Sequence, residues 1–247
     1  MSGLFNKNMK KSTSTASEDF KKNLLNGKRY VDKTEILVPL LDGDHETTFF
    51  LRPRRFGKTL TLSMIKYFVE DTGDPALNEE NRALFQGMKI MVHGERFTEY
   101  MTSFPVIHIT MQTITGNSFE NAYRSLKYVI QRLYDNNSNI MESDSLSTPN
   151  KYFFQRILNN EDESGNKATD SDYHDSLKML TKFIRDVSGK KVIVLIDEYD
   201  VPLEKAYRNG YYRQMVNIIG PMLQNTLKTN SENLQFAVVT GCLRIAK

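Results

Sequence analysis

An α/β fold built around a mostly parallel sheet is the fold class that this 247-residue sequence predicts. Segments with strand-like and helix-like hydrophobic spacing alternate along most of the chain. The strand-like segments are also almost continuously apolar, rather than alternating between apolar and polar residues. Alternating elements are typical of parallel sheets, and continuously apolar strands indicate a sheet that is covered on both faces.

Four stretches are predicted to be buried strands, because aliphatic, β-branched and aromatic residues dominate each of them. They are Thr47–Leu51, Phe104–Met111, Val192–Ile196 and Leu234–Thr240. The longest aliphatic run, Val192–Ile196, is far shorter than the roughly 18 apolar residues of a membrane span. No membrane partner is therefore expected.

Helix-like periodicity fills most of the intervals between these strands. The predicted helical ranges are 18–42 with an interruption at Tyr30–Thr34, then 59–71, 117–134, 175–187 and 211–229. Gly189 ends the fourth range, and Gly220-Pro221 is expected to kink or break the last one, because proline removes a helical hydrogen bond.

Composition supports three predictions about domain organisation. Residues 1–17 are basic and rich in Ser and Thr, which predicts a disordered leader. Residues 18–247 are expected to form one domain, without internal repeats or a domain-scale linker. The polar stretch 135–174 is rich in Asn, Ser, Asp and Glu, which predicts that most of it is a surface insertion.

Charge and cysteine content exclude several classes of protein. The chain carries 33 basic and 30 acidic side chains, so its net charge of +3 favours no particular acidic partner. The single Cys242 excludes an internal disulfide framework and is compatible with a reducing compartment, so a cytoplasmic location is expected. The chain has four scattered histidines and no CxxC pair, so no structural zinc site is expected.

A nucleotide-phosphate loop is indicated where the first strand runs directly into Arg52-Pro53-Arg54-Arg55-Phe56-Gly57-Lys58-Thr59 and a helix. Gly57 allows close backbone approach to a phosphate, Lys58 supplies a mobile positive charge, and Thr59 offers a hydroxyl to Mg²⁺. The start of the helix adds N–H groups and a favourable dipole. We therefore expect Arg54, Arg55, Phe56, Gly57, Lys58, Thr59 and Leu60 to bind the nucleotide.

The loop departs from the full pattern GxxxxGK[ST], which has glycine where this chain has Arg52. Pro53 also removes a backbone donor. The tripeptide Gly57-Lys58-Thr59 alone is equally compatible with a helix that starts after a solvated basic loop. The loop arginines are either surface charges or additional ligands that bind phosphate oxygens in a bidentate way.

The second candidate element is the run Val192–Ile196 with the two carboxylates that follow it, Asp197 and Glu198. Ligands of open α/β sheets bind at the carboxyl ends of the strands. Asp197 is therefore expected to hold Mg²⁺ opposite Thr59, and Glu198 to polarise the water that attacks the γ-phosphate. The alternative is that both carboxylates begin a solvated loop, and Asp200 is as well suited to a structural capping role as to catalysis.

Two residues near the C-terminus complete the candidate catalytic set. Thr240 ends the last predicted strand and either senses the γ-phosphate or caps the strand end. Arg244 is a candidate for contact with the γ-phosphate.

Four stretches of the chain together resemble the AAA-ATPase-like domain family: Tyr30–Thr34, Arg52–Thr59, Ile196–Leu203 and Thr240–Lys247. The resemblance extends from about residue 18 to the C-terminus. It implies a P-loop NTPase three-layer sandwich of the additional-strand class, with an arginine-rich loop as a family trait. It also implies that Glu198 is the catalytic carboxylate and that ATP and Mg²⁺ bind at Arg54, Arg55, Gly57, Lys58, Thr59 and Asp197. The motif Asp32-Lys33-Thr34 either lies near the nucleotide or forms a turn.

Family members continue beyond the position of Lys247, often into a restriction-endonuclease-like domain. A C-terminally truncated domain that lacks the lid is therefore expected. Nucleic acid would be contacted only through such a downstream domain. The missing lid should affect nucleotide binding less than nucleotide hydrolysis. The leading hypothesis is an ATP-binding, Mg-dependent ATP-hydrolysing domain. The alternative is a nucleotide-dependent switch or scaffold with vestigial hydrolysis, and a homo-oligomer stays open.

Overall fold

The computed structural model describes residues 17–28, 30–43 and 46–242, which fall into two compact units. The helical unit contains the described residues of 1–43 and 59–103, and the sheet unit contains those of 44–58 and 104–247. The predicted leader, apart from Ser17, lies outside the described residues.

The described chain alternates between helices and strands in the following order. The elements are α1 Phe20–Leu25, α2 Leu37–Asp42, β1 Thr47–Leu51, α3 Lys58–Val69, α4 Pro75–Ala83, β2 Val106–Thr110, α5 Phe119–Asp135, α6 Thr148–Asn159, α7 Asp170–Ser188, β3 Val192–Asp197, α8 Val201–Arg208, α9 Tyr212–Lys228 and β4 Leu234–Gly241. Short 3₁₀ segments lie at Thr34–Ile36, Lys89–Tyr100 and Ser138–Glu142, the second with a non-helical break at Gly94.

Three phenylalanines form the centre of the helical unit. The rings of Phe20 and Phe85 stack at 5.3 Å, and Phe68 meets Phe85 edge to face at 5.0 Å. The backbone N–H of Phe20 also donates to Ser63 Oγ at 3.0 Å, which joins the start of α1 to α3. Aromatic burial and this buried hydrogen bond thus fix α1 against α3.

Four parallel strands form the sheet of the sheet unit, in the spatial order β1-β4-β3-β2. All six residues of β3 are buried, which agrees with a central strand that is covered on both faces. β4 lies between β1 and β3, so that Phe50 and Thr240 are register partners on one side of it. The predicted α/β fold with a mostly parallel sheet is confirmed, and the described strands are parallel throughout.

The polar stretch 135–174 differs from the surface insertion that its composition predicts. Ile140, Leu146, Phe154 and Ile157 are buried in the hydrophobic core of the sheet unit. Phe154 and Ile157 reach it because α6 turns its buried residues to one face, and Tyr134 packs on Phe154 with ring centroids 4.7 Å apart. Most other residues of 135–149 and of the connection between α6 and α7 are exposed, as the composition predicts.

Helix α9 is continuous from Tyr212 to Lys228 with Pro221 inside it, so the last predicted range is not broken at Gly220-Pro221. Parallel strands place all their carboxyl ends at one edge of the sheet, so the segments that follow β1, β3 and β4 converge there. These are the segments that carry the candidate site residues.

Candidate functional site

The loop between β1 and α3 takes a left-handed backbone at two residues, Arg55 with φ of 68° and Gly57 with φ of 72°. Glycine adopts this conformation without steric cost, whereas an arginine there is strained. Arg52 is not among the residues with positive φ, and its backbone N–H donates to the carbonyl of Gly241 at 3.2 Å. The start of the loop is therefore fastened to the end of β4.

Lys58 is buried at the first position of α3, with 6% of its surface exposed. Its Nζ donates to the carbonyl oxygens of Arg52 at 3.1 Å and Pro53 at 3.3 Å, and it lies 3.2 Å from the Sγ of Cys242. These three contacts match the three N–H donors of an ammonium group. The positive charge is thus held inside the curve of the loop, beside the end of β4.

The acidic end of β3 is joined to β4 through the hydroxyl of Thr240. Thr240 is fully buried; its hydroxyl donates to Asp197 Oδ1 and accepts from the backbone N–H of Glu198 at 3.3 Å. The N–H of Tyr199 also donates to the carbonyl of Thr240 at 3.1 Å. The structure therefore brings Asp197, Glu198 and Thr240 into one hydrogen-bonded group.

Glu198 has a left-handed backbone, with φ of 51°, in the first position after β3. A non-glycine residue in this region carries strain of about 1 kcal/mol or more. Burial is the main cause that raises the pKa of Glu198, and the neighbouring charge of Asp197 adds to it, while Lys58 and Arg54 act in the opposite direction. The Glu198 carboxyl therefore lies in the electrostatic field of both the acidic group and the basic loop.

Asp200 is at the N-cap position of α8, but its side chain does not cap that helix. It is almost fully buried, and its Oδ2 accepts the backbone N–H of Cys242 at 2.9 Å. The carboxylate has a structural role of the kind considered from the sequence, but it bonds to the end of β4 rather than to α8. Sequence reasoning did not identify Cys242 as a neighbour of Lys58.

The remaining candidate residues lie in different parts of the chain. Arg54 forms an ion pair of 2.9 Å with Glu204 of α8, which also pairs with Arg208. Phe56 is exposed over 59% of its surface. Thr59 and Leu60 follow Lys58 in the first turn of α3 and belong to the helical unit, whereas Arg244 lies outside the described residues. Their predicted roles in nucleotide binding stay predictions.

The motif Asp32-Lys33-Thr34 forms a hydrogen-bonded turn within the helical unit. Asp32 Oδ1 accepts from the N–H and the hydroxyl of Thr34 at 2.8 and 2.7 Å, and Asp32 Oδ2 accepts the N–H of Lys89 at 2.8 Å. Burial acts to raise the pKa of Asp32, but these hydrogen bonds lower it overall. Of the two interpretations from sequence, the turn accounts for the two bonds to Thr34, and a position near the nucleotide stays a prediction.

Comparisons with known proteins place the chain in context. A family model described as "Predicted AAA-ATPase" matches residues 15–247. Among curated proteins, the chain is similar to an "Uncharacterized protein in vnfD 5'region" of Azotobacter chroococcum mcd 1, with 27% identity over 220 residues. The match covers 88% of this chain and 34% of that relative, so the chain spans about a third of the relative's length. No solved structure matches the chain.

None of the helices within the described residues is long and apolar enough to cross a membrane. In that same part of the chain, no group of three or more His, Cys, Asp or Glu side chains is arranged to hold a metal ion.

Proposed function

Since this chain belongs to the predicted AAA-ATPase family, we propose that the carboxyl edge of its sheet binds Mg-ATP and hydrolyses the β–γ phosphoanhydride. Family membership by itself supports nucleotide binding in general. The observation that carries the finer proposal is the placement of Lys58 beside the hydrogen-bonded group of Asp197, Glu198 and Thr240 on neighbouring strand ends. A buried cation next to carboxylates at this edge suits a phosphate that arrives with a divalent metal.

Lys58 is the proposed ligand of the β- and γ-phosphates. Its ammonium contacts two neutral carbonyl oxygens and a thiol, and all three are weaker partners than a charged phosphate oxygen. Phosphate binding would exchange these contacts for charge-assisted hydrogen bonds without moving the lysine out of its buried position. Arg54 can add a further contact, because its pair with Glu204 uses one of five guanidinium donors.

The residues present fit a magnesium ion that arrives with the nucleotide better than one held by protein alone. Mg²⁺ is usually bound by one or two protein oxygens together with substrate phosphates and water. Asp197 is buried and hydrogen-bonded by Thr240, which orients its carboxylate, and it is the proposed protein ligand of the ion. The ion would supply charge neutralisation at the phosphates.

Glu198 is the proposed general base. Its strained backbone is fixed by the N–H bond to Thr240, and its raised pKa brings the carboxylate closer to the range in which it can accept a proton from water. A hydroxyl group can donate only one hydrogen bond, and Thr240 donates it to Asp197. We therefore propose that Thr240 positions the Asp197 carboxylate. A nucleotide switch with vestigial hydrolysis would use the same binding residues and would differ only in turnover.

Calorimetry of Mg-ATP binding tests the site, with the parent chain compared with Lys58→Ala. We expect measurable affinity in the parent and none in the variant, because the buried charge that faces the phosphates is removed. Lys191→Ala is the matched control, since Lys191 also donates to a backbone carbonyl, Ser231 O at 2.8 Å, but precedes β3 at the opposite end of the strand. Unchanged affinity in Lys58→Ala would refute the site.

A further inference from the structure

Asp200 lies where the acidic loop after β3 meets the end of β4. Its side chain is 2% exposed, and its Oδ2 accepts the backbone N–H of Cys242 at 2.9 Å. A buried carboxylate is costly unless it is hydrogen-bonded, so a bond of this kind is a strong constraint on both partners.

The peptide group between Gly241 and Cys242 is hydrogen-bonded on both of its sides. Its carbonyl, on Gly241, accepts the N–H of Arg52 at 3.2 Å, and its N–H, on Cys242, donates to Asp200. Because a peptide group is planar, one orientation of that plane serves both bonds. A negative charge on the N–H side also polarises the carbonyl, which strengthens its bond to Arg52. Asp200 thereby acts on the first residue of the phosphate loop without touching it.

The same peptide is held in place by close packing. A Cβ added to Gly241 would lie 2.5 Å from Tyr199 Cε1 and 2.9 Å from Asp200 Oδ1, so the backbone of β4 passes directly against both side chains. The Sγ of Cys242 then lies 3.2 Å from Lys58 Nζ. The end of β4 therefore contacts the acidic loop on one side and both ends of the phosphate loop on the other.

We propose that Asp200 is a positioning residue for the phosphate loop: by fixing the peptide between Gly241 and Cys242, it sets where the loop leaves β1 and where Lys58 is held. This inference rests on the proposed function, since Lys58 is the residue assigned to the phosphates. Asp200 neither contacts nor chemically alters the nucleotide, and its effect is on affinity through the geometry of the loop.

The single cysteine of the chain allows a direct spectroscopic test of the bond. In protein labelled with ¹⁵N-cysteine, the one backbone amide signal is that of Cys242. The isosteric Asp200→Asn replaces a carboxylate acceptor by a neutral one, so the amide proton signal should move upfield. An Asp200→Asn protein whose amide signal stays at the parent position would overturn the proposal.

Mg-ATP affinity then tests the positioning role. We expect Asp200→Ala to weaken binding about tenfold or more, and Asp200→Asn to stay within about threefold of the parent, because asparagine keeps an acceptor for the Cys242 N–H. Asp162→Ala is the matched control: Asp162 is also buried and accepts the backbone N–H groups of Ser164 and Asn166 at 2.9 and 3.0 Å, but in the turn between α6 and α7. It should lower thermal stability and leave both affinity and the Cys242 signal unchanged.

Each outcome bears on one proposal. Parent-like affinity in a folded Asp200→Ala, or an equal loss in Asp200→Asn and Asp200→Ala, would overturn the positioning role. If Asp200→Ala does not fold, the amide signal and the affinity of Asp200→Asn decide. A parent chain that does not bind Mg-ATP would refute the proposed function instead, and the Asp200–Cys242 bond would still be judged by the amide signal.

Discussion

Replacement of Gly241 by alanine should destabilise the sheet unit, because there is no space for a methyl group at this point of β4. An added Cβ would lie 2.5 and 2.7 Å from two ring carbons of Tyr199, and 2.9 Å from Asp200 Oδ1. Separations under 3.0 Å require something to move. The ring of Tyr199 is 8% exposed and meets Phe49 edge to face at 6.1 Å, so it cannot swing into solvent without losing that packing.

The expected cost can be estimated from similar overpacking in protein cores. Inserting a carbon into a well-packed site usually costs about 1–3 kcal/mol. We take about 2 kcal/mol for Gly241→Ala, which for a chain of this size corresponds to a decrease in Tm of about 4–8 °C. The contact with Asp200 should add a loss of Mg-ATP affinity, because the same displacement disturbs the peptide that holds Arg52.

Thermal unfolding followed by circular dichroism measures this cost. Gly220→Ala is the matched control: Gly220 lies inside α9, and its added Cβ would meet only Val216 Cγ1, at 4.0 Å. Alanine favours a helix over glycine by about 0.5–1 kcal/mol, so the control should keep or raise Tm. In a Tyr199→Ala background, Gly241→Ala should cost clearly less. A Tm for Gly241→Ala equal to that of the parent would refute the steric reasoning.

Three further predictions concern the chemistry of the site. Glu198→Gln should lower phosphate release about 100-fold or more while Mg-ATP affinity is kept, and turnover equal to the parent would remove Glu198 from its role. Burial and then Asp197 raise the pKa of Glu198 in the nucleotide-free chain, and only the ionised carboxylate can accept a proton. The kcat/KM, which depends on the ionisation of the free protein, should therefore fall on acidification with a midpoint above the ordinary value of 4.5, and a midpoint at or below it would count against the assignment. Saturating Mg-ATP should slow maleimide alkylation of Cys242, whose Sγ lies 3.2 Å from Lys58 Nζ, and the protection should be absent in Lys58→Ala.

Thr47–Leu51 is a strand with the expected bounds, but its predicted burial is wrong: it is an outer strand of the described sheet, none of its residues is fully buried, and Phe49 is 50% exposed. The central strand could be predicted better, and β3 extends the predicted run by only Asp197. A continuous apolar run of this length is buried on both faces only in the interior of a sheet. The position of Asp197 and Glu198 at the end of such a run follows directly from the sequence.

The helices and contacts that were missed depend on polar residues whose partners are distant in sequence. Helix α7 begins at Asp170 rather than 175, because Thr169 and Asp172 form a capping box in a turn that is otherwise polar. α8, Val201–Arg208, was not predicted as a helix. The bond between Asp200 and Cys242 joins residues that are 42 positions apart, and no local pattern encodes such a partner.

The loop's departure from the usual phosphate-binding pattern has a physical explanation in these contacts. Glycine adopts a left-handed backbone without strain, and in this loop that backbone occurs at Arg55 and Gly57 rather than at Arg52. The N–H of Arg52 donates to Gly241 O, and Pro53, which has no N–H, contributes its carbonyl oxygen to Lys58. The end of β4 thus holds the start of this loop without a glycine at position 52, and the role proposed for Asp200 acts through the same peptide group.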